Sequence, residues 1–188
     1  MAEKIALMGL SRFSLFPVIK NTTEGYAVGN KLDIPEVQSM TRETDSSETK
    51  IYADDNLYLN LKSWNGLNTT ITFAEMTLKM IADLGFGEWN DATKTLKWNP
   101  QGRNLEFAAT FRCKRADGGY RMYRMFSLAL SELPDSGMNT KGDSNEINAY
   151  QLMGMFTARK FDDLPGEIRD TVTDADLTWL DTITSEGV

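Results

Sequence analysis

The chain has 188 residues, 41% hydrophobic and 25% charged, with a net charge of −7, one cysteine and no histidine. That is the composition of a soluble globular chain long enough to bury its own core as one domain, 1–188. The missing histidine excludes Ser-His-Asp and Cys-His nucleophile systems, HExxH sites and nearly all zinc chemistry.

There is no GxxxxGK[ST] loop and no GxGxxG, so nothing is built to cradle a nucleotide phosphate. Carboxylate-pair and lysine-based catalysis survive these tests, but no catalytic, cofactor-binding or metal-binding residue is assigned. An acidic chain does not seek nucleic acid through its net field, because phosphate binding needs Lys and Arg to release counterions. No apolar run reaches membrane-spanning length. MAEKIALMGL lacks the apolar core of a signal peptide, so a cytosolic origin is expected, which suits the single Cys113. The sequons at Asn21 and Asn68 are therefore read as chance.

Many short strands, polar turns and one helix predict a mainly β chain, an antiparallel β-sandwich or barrel. Residues Thr22 to about Ile51 have few apolar anchors and include the polar run Arg42–Lys50. Long, weakly hydrophobic stretches in compact domains tend to be functional or disordered. Flanked by strand-like Glu36–Met40 and Ile51–Leu61, this one predicts a polar arm around 36–56, a long loop or extended hairpin. Arg42, Glu43, Asp45, Glu48, Lys50, Asp54 and Asp55 are its candidate contact residues. Asp54-Asp55 is also the most enzyme-like pair, able in principle to bind Mg²⁺ or act as acid and base. Adjacent strand residues face opposite sides, so a polar structural role is favoured.

Asn65-Gly66 is a strong hairpin signal. Keeping Leu57, Leu59 and Leu61 on the face of Thr69, Ile71 and Phe73 predicts a three-residue loop with a bulge and Gly66 at positive φ. Thr72-Phe73-Ala74-Glu75 then reads as a capping box opening a flanking helix over about 73–84, closed by Gly85. Ala74, Leu78 and Ile81, with Met76, Met80 and Leu84 beside them, form its expected core stripe.

Leu105–Lys114 alternates with one dry face, Leu105, Phe107, Ala109, Phe111 and Cys113. Arg115–Gly119 carries turn chemistry. Tyr120–Leu133 answers with Tyr120, Met122, Phe126, Leu128 and Leu130, broken by Arg124, so a long hairpin is expected. Asn145–Lys160 predicts a strand apolar on both faces, doubly buried or covered by a neighbouring subunit. The segment 162–188 holds eight acidic residues and one basic residue, Arg169. Leu177, Trp179, Leu180 and Ile183 could anchor a short helix from about Asp174. The basic residues Arg112, Lys114, Arg115, Arg121 and Arg124 suit an acidic surface on another copy, Asp174 and Asp176 included.

Three separated segments then stand in a telling order: Met8-Gly9-Leu10-Ser11-Arg12-Phe13, Tyr52-Ala53-Asp54-Asp55-Asn56, and Asn139-Thr140-Lys141-Gly142-Asp143-Ser144-Asn145-Glu146. Before the last lies Gly118-Gly119-Tyr120-Arg121-Met122-Tyr123. The series resembles the major tail (tail tube) proteins of siphophages, particularly those of Gram-positive hosts. After it the family usually has a threonine- and proline-rich strand, where this chain has Ile147-Asn148-Ala149-Tyr150-Gln151-Leu152. The resemblance implies an antiparallel β-sandwich with a flanking helix. It also implies hexameric rings, stacked head to tail by a long loop, with a continuous inner barrel through which DNA passes without specific binding. The implied setting is a virion tail assembled in the host cytoplasm, with a tape measure protein, a tail terminator and a distal tail protein as further partners. No cofactor is implied. Two rivals are a baseplate or other β-sandwich binding module using Trp64, Trp89 and Trp98, and a hydrolase using Asp54 or Asp55 with a second carboxyl group.

Overall fold

A computed structural model of the chain describes residues 6–53, 56–99, 106–131, 135–136, 149–171 and 178–184. Its strands are β1 (Leu7–Thr22), β2 (Gly25–Val28), β3 (Leu32–Asp33), β4 (Val37–Ala53), β5 (Asn56–Phe73), β6 (Gly87–Asn90), β7 (Thr95–Trp98), β8 (Glu106–Arg115), β9 (Tyr120–Leu130), β10 (Asp135–Ser136), β11 (Tyr150–Thr157) and β12 (Gly166–Thr171). The helices are α1 (Leu78–Asp83) and α2 (Thr178–Asp181). The expected mainly β, antiparallel, sandwich-like fold is what the chain adopts.

One sheet runs β2-β1-β8-β9-β11-β5-β4, while β6 and β7 form a separate hairpin. The sheet divides at β9. Along one flank β9 pairs with β12 from Tyr120 to Met125, then with β11 from Ser127 to Leu130. An extra β9 residue between the Ala109–Met125 and Phe107–Leu128 pairs marks the switch. Such a bulge shifts the side-chain alternation by one. Tyr123, Met125 and Leu128 therefore enter the main core, while Phe126 enters a second one. The single apolar face expected of this strand is thus split between two cores.

The main core is filled by strands that are not neighbours in the sheet. Phe13 of β1 meets Phe73 of β5 edge to face at 5.9 Å, while Phe111 and Tyr123, cross-strand partners on the adjacent β8 and β9, stack at 4.8 Å. Contact between β1 and β5 requires the sheet to fold over on itself, giving the two layers of a sandwich. The second core, Phe16, Tyr26, Ala108, Phe126 and Ile183, lies on the opposite face of β1 and β8. Hence β8 is dry on both faces at mid-length, with Ala108 and Thr110 both fully buried, where the sequence suggested one dry face.

The first motif, Met8–Phe13, shapes β1. Its pairing with β8 slips at Gly9 and again between Ser11 and Ser14, where Gly9 has φ 64° and Arg12 φ 52°. Beyond the two bulges the strand alternates regularly between two cores, Phe13 and Leu15 into the main one and Phe16 into the second, so Phe13, Ser14, Leu15 and Phe16 are buried in succession. The β8–β9 hairpin matches the expected turn: Lys114 pairs with Tyr120, Gly118 has φ 92°, and the Asp117 carboxylate accepts from Gly119 N at 3.1 Å.

Three expectations are corrected. Asn65-Gly66 is not a turn, because β5 runs unbroken through it and Gly66 has no positive φ. Gly66 pairs with Asp45, and Asn65 is the extra residue of a mid-strand bulge. A Cβ at Gly66 would lie 2.6 Å from the Phe156 carbonyl oxygen, so close strand packing explains the glycine.

The helix starts later than 73. Thr72 and Phe73 stay in the ladder with Gln151 and Tyr150, and long-range pairing overrides the local capping box. Thr77 is the N-cap, accepting from Met80 N at 3.2 Å. The helix ends as anticipated at Gly85 (φ 88°), with Gly85 N bonded to Ala82 O and Phe86 N to Ile81 O. Its core side is Met76, Ile81 and Leu84, whereas Leu78 is exposed.

The late strand is β11, which starts after Ala149 and ends at Thr157, short of 160; Leu152 and Phe156 are buried and Met153 is exposed, so within this chain it is not buried on both faces. Ile147 and the proposed helix start at Asp174 lie outside the described residues.

Gly66→Ala is expected to lower stability by about 1–3 kcal/mol through overpacking, a fall in Tm of roughly 2–10 °C. An unchanged melting temperature would show that β5 and β11 do not pack this closely.

Candidate assembly surfaces

The outgoing polar segment and the leucine-rich segment after it form one antiparallel hairpin, paired from Val37–Phe73 at the root to Ala53–Asn56 at the tip. At ~3.3 Å per residue, the 17 residues of β4 span roughly 55 Å. Only the root has a third strand: β11 pairs with β5 from Leu67 to Phe73. Beyond Gly66, among the described residues, β5 pairs with β4 alone, leaving a two-stranded ribbon of Asp45–Ala53 and Asn56–Gly66.

The ribbon is amphipathic. Directly opposed residues of an antiparallel pair share a face. Ile51 opposes Leu59 and Thr49 opposes Leu61, giving an apolar strip; the three apolar residues are 44%, 41% and 52% exposed. The other face pairs Glu48 with Lys62 and Lys50 with Asn60. Glu48 accepts from Asn60 Nδ2 at 2.8 Å and lies 3.4 Å from Lys50 Nζ. Tyr52, Tyr58 and Trp64 are also exposed.

The candidate arm residues therefore separate. Asp45, Glu48 and Lys50 lie on the ribbon, where Asp45 accepts from Asn65 Nδ2 at 3.2 Å. Arg42 and Glu43 lie at the root, opposite Thr69 and Asn68. The Arg42 guanidinium sits 5.1 Å from the Tyr123 ring centre and 5.9 Å from that of Phe111, roofing the main core of its own chain. Asp54 and Asp55 lie outside the described residues. The apolar strip is carried by the Leu57-Leu59-Leu61 alternation, which the Asn65-Gly66 turn signal assigns to a different hairpin.

The second surface is the seam between β9 and β12. Arg121 donates through Nε and Nη2 to both carboxylate oxygens of Asp170, at 2.6 and 2.7 Å. Arg115, nearly buried, bridges Asp117 at 2.5 Å and Asp170 at 3.4 Å. Arg124 reaches Glu167 at 3.3 Å. Thus Arg115, Arg121 and Arg124 find acidic partners in the 162–188 segment or the adjoining turn of their own chain, where the sequence suggested another copy. Arg112 donates to Ser11 Oγ and stacks 4.0 Å from the Tyr120 ring centre, and Lys114 is exposed. Asp174 and Asp176 lie outside the described residues.

Hydrogen bonds from Arg121 hold the Asp170 carboxyl below the usual carboxylate range, and those from Arg159 do the same for Asp162. Burial lowers the Arg124 guanidinium from its ordinary value, opposed by Glu167. An open concavity of about 450 Å³ over β4, β5, β9 and β11 is lined by Thr41, Asn68, Thr70 and Met153, with no tryptophan. Trp64 is on the arm, while Trp89 and Trp98 are on the β6–β7 hairpin.

No family model and no curated protein matches the sequence. Among solved structures, the chain is similar to one from the six-fold symmetrised anti-feeding prophage baseplate, at 10% identity and a TM-score of 0.39, over 86% of this chain and 94% of that one.

Because the folded Asp170 carboxyl titrates below its unfolded value, its stabilisation is complete above roughly pH 4–5 and is lost as pH falls through the folded value. Asp170→Asn is expected to lower Tm by about 1–4 °C at pH 7, and the gap should close as pH falls below the folded carboxyl's lowered value. A gap that persists in acid would assign the loss to something other than this ion pair.

Proposed function

We propose that this chain is a structural subunit, without catalytic function, that polymerises into a phage tail tube of stacked hexameric rings. The observation that carries the reading is the ribbon. An isolated two-stranded hairpin is marginally stable in water and needs a third strand or a packed face. This ribbon has neither within its own chain among the described residues, and it holds out an apolar strip. Its cover is assigned to another copy, which makes it the inter-ring arm.

The free edges point the same way. β4 forms one end of the sheet path and β2 the other. Long unpaired edges are a liability in a monomer and an interface in a polymer. The ordered motifs that resemble siphophage major tail proteins supply the specific identity, and two of them map onto shape-giving features, the β1 bulges and the arm tip. The −7 charge per copy, multiplied sixfold in a ring, disfavours adhesion of passing DNA wherever part of it lines the lumen. A terminator, a tape measure protein and a distal tail protein complete the proposed setting.

The triple variant Ile51→Ser, Leu59→Ser, Leu61→Ser is expected to keep the circular dichroism of the body while abolishing stacking, read by sedimentation velocity and negative-stain microscopy. Tubes formed as readily as by the unaltered chain would refute the arm's role. Rings that never stack, in the unaltered chain, would favour a tail-end or baseplate component over a tube protein.

A further inference from the structure

The outer face of β8 and β9 grips a segment of the chain far away in sequence. Thr110 and Arg124 are cross-strand partners, and both are buried. Thr110 Oγ1 donates to the Leu180 carbonyl at 2.9 Å. Arg124 donates to the Trp179 carbonyl through Nε at 2.9 Å and Nη2 at 2.6 Å, and its guanidinium lies 4.0 Å from the Trp179 ring centre. Two adjacent positions on the sheet thus hold two consecutive peptide carbonyls. Leu180 is 1% exposed and Ile183 7%, the latter among Phe16, Tyr26, Ala108 and Phe126. Lys31 fixes the near end through Asp181 at 2.5 Å.

These are the parts of a peptide site: backbone capture, an aromatic–cation stack, an apolar socket around Ile183, a buried Leu180 and a charged rim. The occupant contributes little structure of its own. α2 is four residues long, far below the length at which a helix holds itself together, so the cleft imposes its shape.

We propose that this cleft is a peptide-binding site whose ligand is the segment Thr178–Thr184, and that the segment can be exchanged between copies. The contacts made by a neighbour's segment are the same as those made in place, so exchange loses no contact energy and is governed by effective concentration. In a ring of copies that concentration is high for neighbours as well. The exchange rests on the assembly reading above, whereas the cleft itself does not, and the test reads the cleft alone.

The probe is a fluorescein-labelled peptide spanning Thr178–Thr184, titrated into the full-length chain and followed by anisotropy at concentrations where the chain is monomeric. The expected result is saturable binding, with an apparent Kd at least about tenfold tighter when the chain carries Leu180→Ala, because its own occupant is then weakened. A peptide with the same leucine replaced by alanine should not compete. If Leu180→Ala does not fold, Asp181→Asn, whose carboxylate meets Lys31 and Arg12 at the rim, should give a smaller shift in the same direction. No binding to any of these chains, or equal affinity for all of them, would overturn the proposal. Failure of tube formation with intact peptide binding would count against the assembly reading and leave the cleft standing.

Discussion

The ladder between β5 and β11 fixes where the body ends and the arm begins. Seven consecutive β5 residues, Leu67–Phe73, are locked against β11 on one side and β4 on the other, and Ile71 and Phe73 anchor them in the core. Gly66 stands at the boundary, where any side chain would strike the Phe156 carbonyl. Past that point the same two strands continue with no third partner among the described residues. A rigid root and an uncovered ribbon are therefore consequences of one strand being longer than its neighbour.

A comparable economy governs β9. One bulge lets it serve two sheet neighbours, β12 and β11, and sends Phe126 into a different core from Leu128. The two cores differ in character. The main one is closed by strands together with α1 and its flanks, whereas the second is closed by residues near the far end of the described chain, held through buried arginine and threonine side chains. Burying Arg124 has a desolvation cost, offset by two bonds to a carbonyl, a carboxylate and an aromatic face.

Much of this was legible in the sequence, and the failures share a cause. The β8–β9 hairpin, its turn, the glycine end of α1 and the polar outgoing strand of the arm are local patterns, set by alternation and turn chemistry. Asn65-Gly66 and Thr72–Glu75 are equally strong local signals, yet both were overridden. Each lies in β5 or just beyond it, where pairing with β4 and β11 outweighs a turn or cap preference worth about 1 kcal/mol. The in-chain partners of Arg115 and Arg121 were out of reach for the same reason. Asp170 approaches them only because β12 pairs with β9, a contact no spacing rule reveals. The apolar strip of the arm was visible as alternating leucines, but its exposure depends on the absence of a third strand.

The proposed assembly depends on one contact, the uncovered ribbon against another copy. Cryo-electron microscopy of the purified, assembled protein tests it most directly. The expected result is six-fold rings stacked into tubes, with Ile51, Leu59 and Leu61 of each ribbon buried against a subunit of the adjacent ring. Particles in which the ribbon stays in solvent, or a chain that remains monomeric at high concentration, would contradict it.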